Sequence, residues 1–292
     1  MTSGPEWHAD QLGQPGKEER TASVRFTIVT PVLNGMPWLP EAIGSVSSQR
    51  ESVGFEIEHI VLDGGSIDGS REWLLGHPEL GCDLRFQADH GQTDALSSGF
   101  GAAKGELLGW LNADDILEPG TLQTVHDLFA ASPDVMMISG ACLFIDPAGR
   151  VIGAMATPPN PTLEGLVQTR INPPQPSTFF RASAFSQVGG LDRGLNLAMD
   201  VDLWIRLARV GRYLVLPDRV LARYRIHPQA KSERLAWASA REDLTVRRRN
   251  GMKWRSPAGR ELFRLVYVRR AFSPLRAIRR AVNRASSGAP RS

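Results

Sequence analysis

Three polar clusters contain the residue types that could do chemistry in the first half of this 292-residue chain. Each follows an apolar stretch: the segment Thr30–Asn34, Asp63, and the run Asn112-Ala113-Asp114-Asp115. Carboxylate and amide oxygens suit Mg²⁺ or Mn²⁺, and such ions commonly keep open positions for substrate phosphates. On the residues alone, the last run is explained equally well as a metal site or as the cap of a helix near Pro119.

The second half adds two carboxylates and a histidine. Asp200 and Asp202 flank the start of a helical pattern, where a carboxylate either caps the helix or removes a proton from a hydroxyl. His227 is either structural or a ligand of a metal or phosphate. By residue type alone, a structural role is favoured for Asp202, and an Asx-turn is favoured for Asp63.

The elements that must position these residues alternate between strands and helices. The first half is expected to contain strands 26–29, 57–62, 84–86 and 107–111, and helices 38–49, 66–75 with Ser66 as N-cap, 92–103 and 119–131. The second half is expected to contain strands 136–139, 143–145, 213–216 and 221–226, and a helix 199–210. This alternation predicts an α/β fold with a Rossmann-like, mostly parallel sheet flanked by helices. Ligands of such sheets bind at the carboxyl ends of the strands, where the three clusters fall.

The charge is divided unevenly along the chain. Residues 241–292 hold 15 basic and three acidic residues, whereas residues 1–240 have a net charge of −9. Within this basic tail, Leu275, Ile278 and Val282 share one helical face of segment 274–284. Two interpretations are equally supported: the tail lies on an anionic membrane surface, or it packs on the acidic body. Nucleic acid is not an expected partner, because few aromatic residues interleave with the arginines.

The location of the protein is inferred from missing signals. Residues 1–20 are polar and lack the apolar core of a signal peptide. No run approaches the ~18 apolar residues of a membrane span. Cys82 and Cys142 are far apart and form no metal or redox motif. These features predict a cytoplasmic protein, with peripheral membrane association if the tail binds lipid.

Four segments in order resemble the family 2 glycosyltransferases of GT-A fold. They are Thr30–Gly35, Asp63–Ser70, Gly91–Ala95 with Leu111–Asp115, and Met199–Leu207. The resemblance extends over roughly residues 24–230, and the four motifs together are far more specific than any one of them. It makes metal ligation the favoured interpretation of Asp114.

The resemblance implies a role for each matching residue. The nucleotide-sugar would contact Thr30, Pro31, Asn34, Asp63, Asp94, Asn112 and Asp115. Asp114 would ligate the metal, His227 would approach the metal or diphosphate, and Asp200 would be the catalytic base. Trp204 and Arg206 would brace the helix of Asp200, and Gln175–Ser177 resembles the loop before the acceptor-side strand.

Two positions depart from the family pattern. The family triplet usually begins with aspartate, whereas this chain has Asn112, which has one negative charge fewer. Met199 stands where an acidic residue often precedes the base. The first difference raises the question of whether metal binding is weaker without the phosphates of the donor.

These observations predict an inverting glycosyltransferase that depends on Mn²⁺ or Mg²⁺. It would move a sugar from a nucleotide-diphosphate donor to a saccharide or lipid-linked acceptor in cell-surface polysaccharide or glycolipid assembly. The alternatives are a nucleotidyltransferase and a catalytically inactive sugar-nucleotide-binding module. The expected divisions are a flexible arm (1–23), a GT-A domain (24–235, with a nucleotide-sugar half 24–130 and an acceptor half 131–235) and a basic helical tail (236–292).

Overall fold

A nine-stranded sheet forms the centre of the computed structural model, which describes residues 26–87, 90–155, 157 and 162–268. The expected arm 1–23 and the amphipathic segment 274–284 lie outside these residues. The first four strands pair in parallel in the order β3-β2-β1-β4. Their bounds are β1 Phe26–Val32, β2 Ile57–Asp63, β3 Asp83–Phe86 and β4 Leu107–Trp110.

Helices cover this parallel half of the sheet. They are α1 Leu39–Ser47, α2 Ser70–Leu75, α3 Gln92–Ala102 and α4 Thr121–Ala131. In α1, buried Leu39, Ala42, Ile43 and Val46 recur at the spacing of one helical face. Gly99 brings α3 close to β1, since a Cβ at this position would lie 2.5 Å from Val29 Cγ1. The α/β class and its strand–helix alternation are therefore confirmed.

The remaining strands extend the sheet with mixed directions. They are β5 Ile116–Leu117, β6 Val135–Ile145, β7 Val151–Met155, β8 Thr178–Arg181 and β9 Arg212–Arg225. Strand β8 runs antiparallel to both β4 and β6, whereas β9 runs parallel to β6. Strands β5 and β7 pair antiparallel to β9 and β6 respectively.

The second half also contributes most of the helices. They are α5 Leu163–Gln168, α6 Ala182–Gln187, α7 Met199–Val210, α8 Lys231–Arg234, α9 Ala236–Arg249 and α10 Pro257–Phe263, followed by a π-helical segment Arg264–Val268. Among the described residues, no helix is both long and apolar enough to cross a bilayer.

Three expected element boundaries are wrong. The expected strands 136–139 and 143–145 are one strand, β6, and the expected strands 213–216 and 221–226 are one strand, β9. Backbone irregularities between these strands, where their register shifts, explain the apparent interruptions. Ser66 is not an N-cap, because α2 begins at Ser70 and the Ser66 hydroxyl accepts the Asn34 N–H instead.

The described part of the basic segment packs on the body. Leu244, Val246 and Leu262 of α9 and α10 share one core cluster with Leu203 and Trp204 of α7. Buried Arg247 pairs with Asp243 and donates to backbone carbonyls of the loop around α5. The expected boundary between 235 and 236 therefore falls between α8 and α9, ahead of helices that belong to this core.

Candidate active site

A cavity of about 490 Å³ lies at the carboxyl ends of β1 and β4. The loop after β1, the turn after β4, the first turn of α7 and the segment around α8 all contribute to its wall. Of the residues expected in the site, six line it: Pro31, Asn34, Asn112, Asp114, Asp200 and His227. Thr30, Asp63, Asp94 and Asp115 lie outside the wall.

Asn112 organises the turn after β4 through four side-chain hydrogen bonds. Its Oδ1 accepts from Gln92 Nε2 and Trp110 Nε1, both at 2.8 Å. Its Nδ2 donates to Asp115 Oδ2 at 3.0 Å and to Gln175 Oε1 at 2.9 Å. Because both Nδ2 partners are acceptors, an aspartate at this position could not replace these bonds.

Asp115 is buried beneath this turn and supports it. One oxygen accepts from Asn112, and the other accepts the backbone N–H of Arg225 at 3.0 Å. Burial, and secondly the adjacent Asp114 charge, raise the pKa of Asp115 well above its usual value. These bonds fix Asp115 to β9, so it does not cap the helix that follows.

Asp114 and His227 meet at the wall of the cavity. His227 Nε2 lies 2.9 Å from Asp114 Oδ2, although 113 residues separate them in the chain. The Trp38 ring packs against the imidazole, with 4.0 Å between ring centroids. Within the described ranges, the buried His227 Nδ1 has no hydrogen-bond partner. The resemblance implied that Asp114 ligates the metal and that His227 approaches the metal or diphosphate, and the structure brings these two side chains together.

Arg225 holds the turn from below and was not singled out by its sequence. It is 1% exposed, and its Nε donates to the Asp114 carbonyl at 3.0 Å. Its other nitrogens donate to the carbonyls of Asp146 and Pro147 and to the carboxylate of Glu41. A buried guanidinium with this many bonds fixes the backbone that positions Asp114.

Asp200 lines the cavity from the first turn of α7. Its side chain is half-buried, and Oδ1 accepts the Val201 N–H at 2.8 Å. Burial raises the pKa of Asp200 to about 6, and the charge of Asp243 adds a smaller effect in the same direction. A carboxyl group with this pKa is ionised at neutral pH and is more basic than an exposed aspartate.

Asp202 has the structural role that residue type favours. It is 1% exposed and forms ion pairs with Arg206, at 2.7 Å, and with Arg249. Arg206 also donates to the carbonyls of Val188 and Gly190, which agrees with its expected bracing role. Trp204 is buried with its ring edge-on to Phe180.

The end of β1 and the loop after it contain three of the expected nucleotide contacts, and only two of these line the cavity. Pro31 and Asn34 line the cavity, and Asn34 has φ 56° with its Oδ1 accepting the Ile67 N–H at 2.9 Å. Thr30 lies within the core, where its hydroxyl is 2.9 Å from His59 Nε2. Burial, with a smaller effect from Arg50, lowers the pKa of His59 to about 3, so this imidazole is neutral.

Asp63 and Asp94 make contacts outside the cavity wall. Asp63 is buried, accepts the Ser66 N–H at 3.0 Å and pairs with Arg71 at 2.9 Å. Asp94 lies 3.4 Å from an Arg193 nitrogen on the surface. The residues next to Asp94, Gly91 and Gln92, line the cavity instead.

Lys231 is a cavity residue that the sequence motifs did not indicate. Its Nζ donates to the Asn196 carbonyl at 2.6 Å and to Gln92 Oε1 at 3.2 Å. The signal that could have found it is its position four residues after His227. Arg234, one turn further on, also lines the wall and adds positive charge.

Comparison with known proteins finds similarity to glycosyltransferases. Residues 27–157 match the family model described as glycosyl transferase family 2. An uncharacterised glycosyltransferase of Nostoc is 27% identical over 241 residues, which are 79% of this chain and 73% of the relative. One from Rickettsia conorii is 26% identical over 242 residues, and only 38% of its length is covered. The chain thus spans well under half of that relative.

The fold agrees with the sequence match. The mannosyltransferase PcManGT from Pyrobaculum calidifontis, solved with GDP-Man and Mn²⁺, superposes with a TM-score of 0.59 at 18% identity. That match covers 93% of this chain and 77% of the solved one. The architecture is therefore that of the GT-A glycosyltransferases. Over residues 27–157 the chain thus resembles glycosyl transferase family 2, and the relatives that it resembles are named glycosyltransferases.

Proposed function

We propose that this chain transfers a sugar from a nucleotide-diphosphate donor to an acceptor hydroxyl, with inversion at the anomeric carbon and dependence on a divalent metal. One observation carries the proposal: the Asp114–His227 pair and Asp200 line the same cavity. The Asp114–His227 pair is suited to bind a cation that carries phosphates. Asp200 is suited to accept a proton.

The residues at the Asp114–His227 pair fit a divalent metal. A carboxylate oxygen and an imidazole nitrogen at 2.9 Å offer two ligands on the cavity wall. Within the described ranges, no group of three or more His, Cys, Asp or Glu could hold a metal. Mg²⁺ commonly takes one or two carboxylates and completes its coordination with phosphate oxygens and water. The metal would stabilise the charge that develops on the leaving diphosphate.

The role of the base follows from the surroundings of Asp200. Its pKa of about 6 keeps it ionised at neutral pH while making it a stronger base than an exposed aspartate. Asp200 would take the proton of the acceptor hydroxyl while its oxygen bonds to the anomeric carbon and the sugar–phosphate bond breaks. This single displacement would invert the anomeric carbon. Lys231, on the cavity wall, would add positive charge for the donor phosphates.

The acceptor is proposed as a saccharide or lipid-linked saccharide in cell-surface polysaccharide or glycolipid assembly. PcManGT, which resembles this chain in fold, was solved with a nucleotide-sugar and Mn²⁺, and this supports the donor class.

A panel of nucleotide-sugars tests the proposal. We expect one donor to raise the melting temperature only with Mn²⁺ or Mg²⁺, and to release a nucleoside diphosphate in the presence of acceptor. Pyrophosphate release from a sugar phosphate and a nucleoside triphosphate would indicate a nucleotidyltransferase instead. Donor binding without release from any acceptor or water would indicate an inactive binding module. The product anomer, read by NMR, tests inversion.

A further inference from the structure

The C-terminal helices expose three aromatic side chains on one side of the molecule. Trp237, Trp254 and Phe263 are 39%, 44% and 48% exposed. The Trp254 and Phe263 rings meet edge-on with centroids 6.1 Å apart, and Trp237 Nε1 donates to the Val266 carbonyl at 3.3 Å. α10 and the π-helical segment pack alongside α9, which brings these side chains to one side. We call Trp237, Trp254 and Phe263 the aromatic face.

Positive charge surrounds the aromatic face. The Arg241 guanidinium lies 5.8 Å from the Trp237 ring centroid, and that of Arg248 lies 4.6 Å from the Trp254 ring. Among the residues that the structure describes, neither arginine forms an ion pair with a carboxylate. Four more exposed basic residues lie on this segment: Lys253, Arg255, Arg260 and Arg264. The exposed acidic residue nearby, Glu261, is paired with Arg170.

The positive charge around the aromatic face indicates which kind of partner could cover it. Residues 269–292 contain seven arginines and no acidic residue, so covering the face with the chain's own end would bring like charges together. A second copy of the same face would be repelled for the same reason. An anionic partner is therefore favoured.

The geometry of the indole rings favours lipid over nucleic acid. Stacking of bases needs open aromatic faces. In both tryptophans an arginine lies over one ring face, which leaves at most one face of each indole open to a base. Indoles at the level of lipid headgroups, beside arginines that meet anionic phosphates, are a usual arrangement at a bilayer surface.

We propose that the aromatic face docks this chain on the surface of an anionic bilayer. The first turn of α9 supplies Trp237 to the aromatic face and Ser239 to the cavity wall. Docking would therefore hold the cavity beside the membrane surface. If the proposed function holds, docking also specifies the acceptor: a lipid-linked saccharide presented from the same membrane. This inference about the acceptor rests on the proposed function.

Vesicle flotation of the full chain tests the proposal. We expect the wild type to float with vesicles of phosphatidylcholine and phosphatidylglycerol, and not with phosphatidylcholine alone. The pair Arg241→Gln and Arg248→Gln should lower the partition coefficient at least about fivefold. Trp237→Ser with Trp254→Ser should lower it by a similar factor. The Arg241→Gln and Arg248→Gln variant replaces exposed side chains only, so it is expected to fold. It therefore still tests the proposal if the double tryptophan variant does not fold.

A matched control uses an exposed apolar residue and an exposed arginine elsewhere, Leu75→Ser with Arg212→Gln, which should float like the wild type. Flotation of both face variants at wild-type level would overturn the proposal, as would no flotation of the wild type. Binding of a single-stranded oligonucleotide without flotation, lost in the same variants, would assign the face to nucleic acid and overturn it too.

Failure of this proposal is distinguishable from failure of the proposed function. Flotation is measured without donor or metal, whereas nucleoside-diphosphate release with a water-soluble acceptor needs no vesicles. The face variants should keep that release at wild-type rates in solution. A loss of release in these variants without vesicles would mean that they damage the catalytic site, and the docking assignment would then be wrong.

Discussion

The turn Asn112–Asp115 and the first turn of α7 each present two carboxylates, and each places only one of them at the cavity. In the first turn, Asp114 lines the cavity while Asp115 is buried on Asn112 and the Arg225 N–H. In the second, Asp200 lines the cavity while Asp202 is buried. The two buried carboxylates differ in their partners. Asp202 forms ion pairs with arginine side chains, whereas Asp115 accepts hydrogen bonds from an amide and a backbone N–H.

This difference agrees with the two roles proposed for the site, which are cation binding at Asp114 and proton removal at Asp200. Two arginines around Asp202 fix the start of α7 by ion pairs, and Asp200 remains with a raised pKa that suits a base. The turn after β4 holds Asp115 by hydrogen bonds from Asn112 and the Arg225 N–H, and Asp114 is the carboxylate of this turn that lines the cavity. Changing one residue in each turn should therefore give different kinds of defect.

The largest expected effect is on the base. Asp200→Asn should lower the rate of transfer by at least about 100-fold, because an amide cannot accept the acceptor proton. Donor affinity, measured by thermal shift with metal, should stay near that of the wild type. Turnover at the wild-type rate would remove Asp200 from this role.

Its neighbour should show a loss of stability instead. Asp202→Asn leaves Arg206 and Arg249 without their shared carboxylate, so the free energy of unfolding should fall by about 3 kcal/mol. Urea denaturation measures this change. An unchanged denaturation midpoint together with a loss of transfer like that of Asp200→Asn would exchange the roles of the two carboxylates.

The support beneath Asp114 should affect metal binding. Arg225→Lys removes several of the bonds to carbonyls around the turn, and metal affinity should fall about tenfold while the rate at saturating metal changes less. Titration with Mn²⁺ in the transfer assay separates the two quantities. Arg212→Lys, an exposed arginine on the same strand paired with Asp134, serves as the control and should leave both unchanged.

The pH dependence should report Asp200. Because the base must be ionised, kcat/KM should fall about tenfold per pH unit below about 6 and level off above it. An inflection that is independent of metal concentration supports Asp200, and one that moves contradicts the assignment.

The smallest expected effect concerns the position that departs from the family triplet. Asn112→Asp should lower the free energy of unfolding by about 1 kcal/mol, since it removes the donor shared by Asp115 and Gln175. Chemical denaturation in the absence of metal measures it. A more stable variant, or one with tighter metal binding, would show that a carboxylate is better accommodated here than the hydrogen bonds imply.

The sequence predicted the parts of the site that follow buried strands or open an amphipathic helix. Apolar runs and helical spacing indicate β1, β4 and α7, and the motifs at their ends include Asn34, Asp114 and Asp200, which line the cavity. The family resemblance implied that His227 approaches the metal or diphosphate. Its contact with Asp114 could not be predicted, because no local pattern places residues 113 positions apart together.

The remaining features depend on contacts distant in sequence. Whether a polar side chain after a strand faces the cavity or the interior is set by its neighbours, as Thr30 shows by turning toward His59. Arg225 and Lys231 gain their roles from loops that meet only in the folded chain. Strand irregularities hid the length of β6 and β9, because register shifts interrupt the apolar pattern.

Glu242 of α9 accepts the backbone N–H groups of Asn196, Leu197 and Ala198 at 2.8–3.3 Å, immediately before the helix of Asp200 begins. The residues proposed to take part in the chemistry end near Lys231, yet the segment that anchors the start of the Asp200 helix comes after them. A chain trimmed to its recognisable motifs would keep every reactive group and lose the anchor of one of them. A shortened version of this chain should therefore retain α9, and should not end at the last motif.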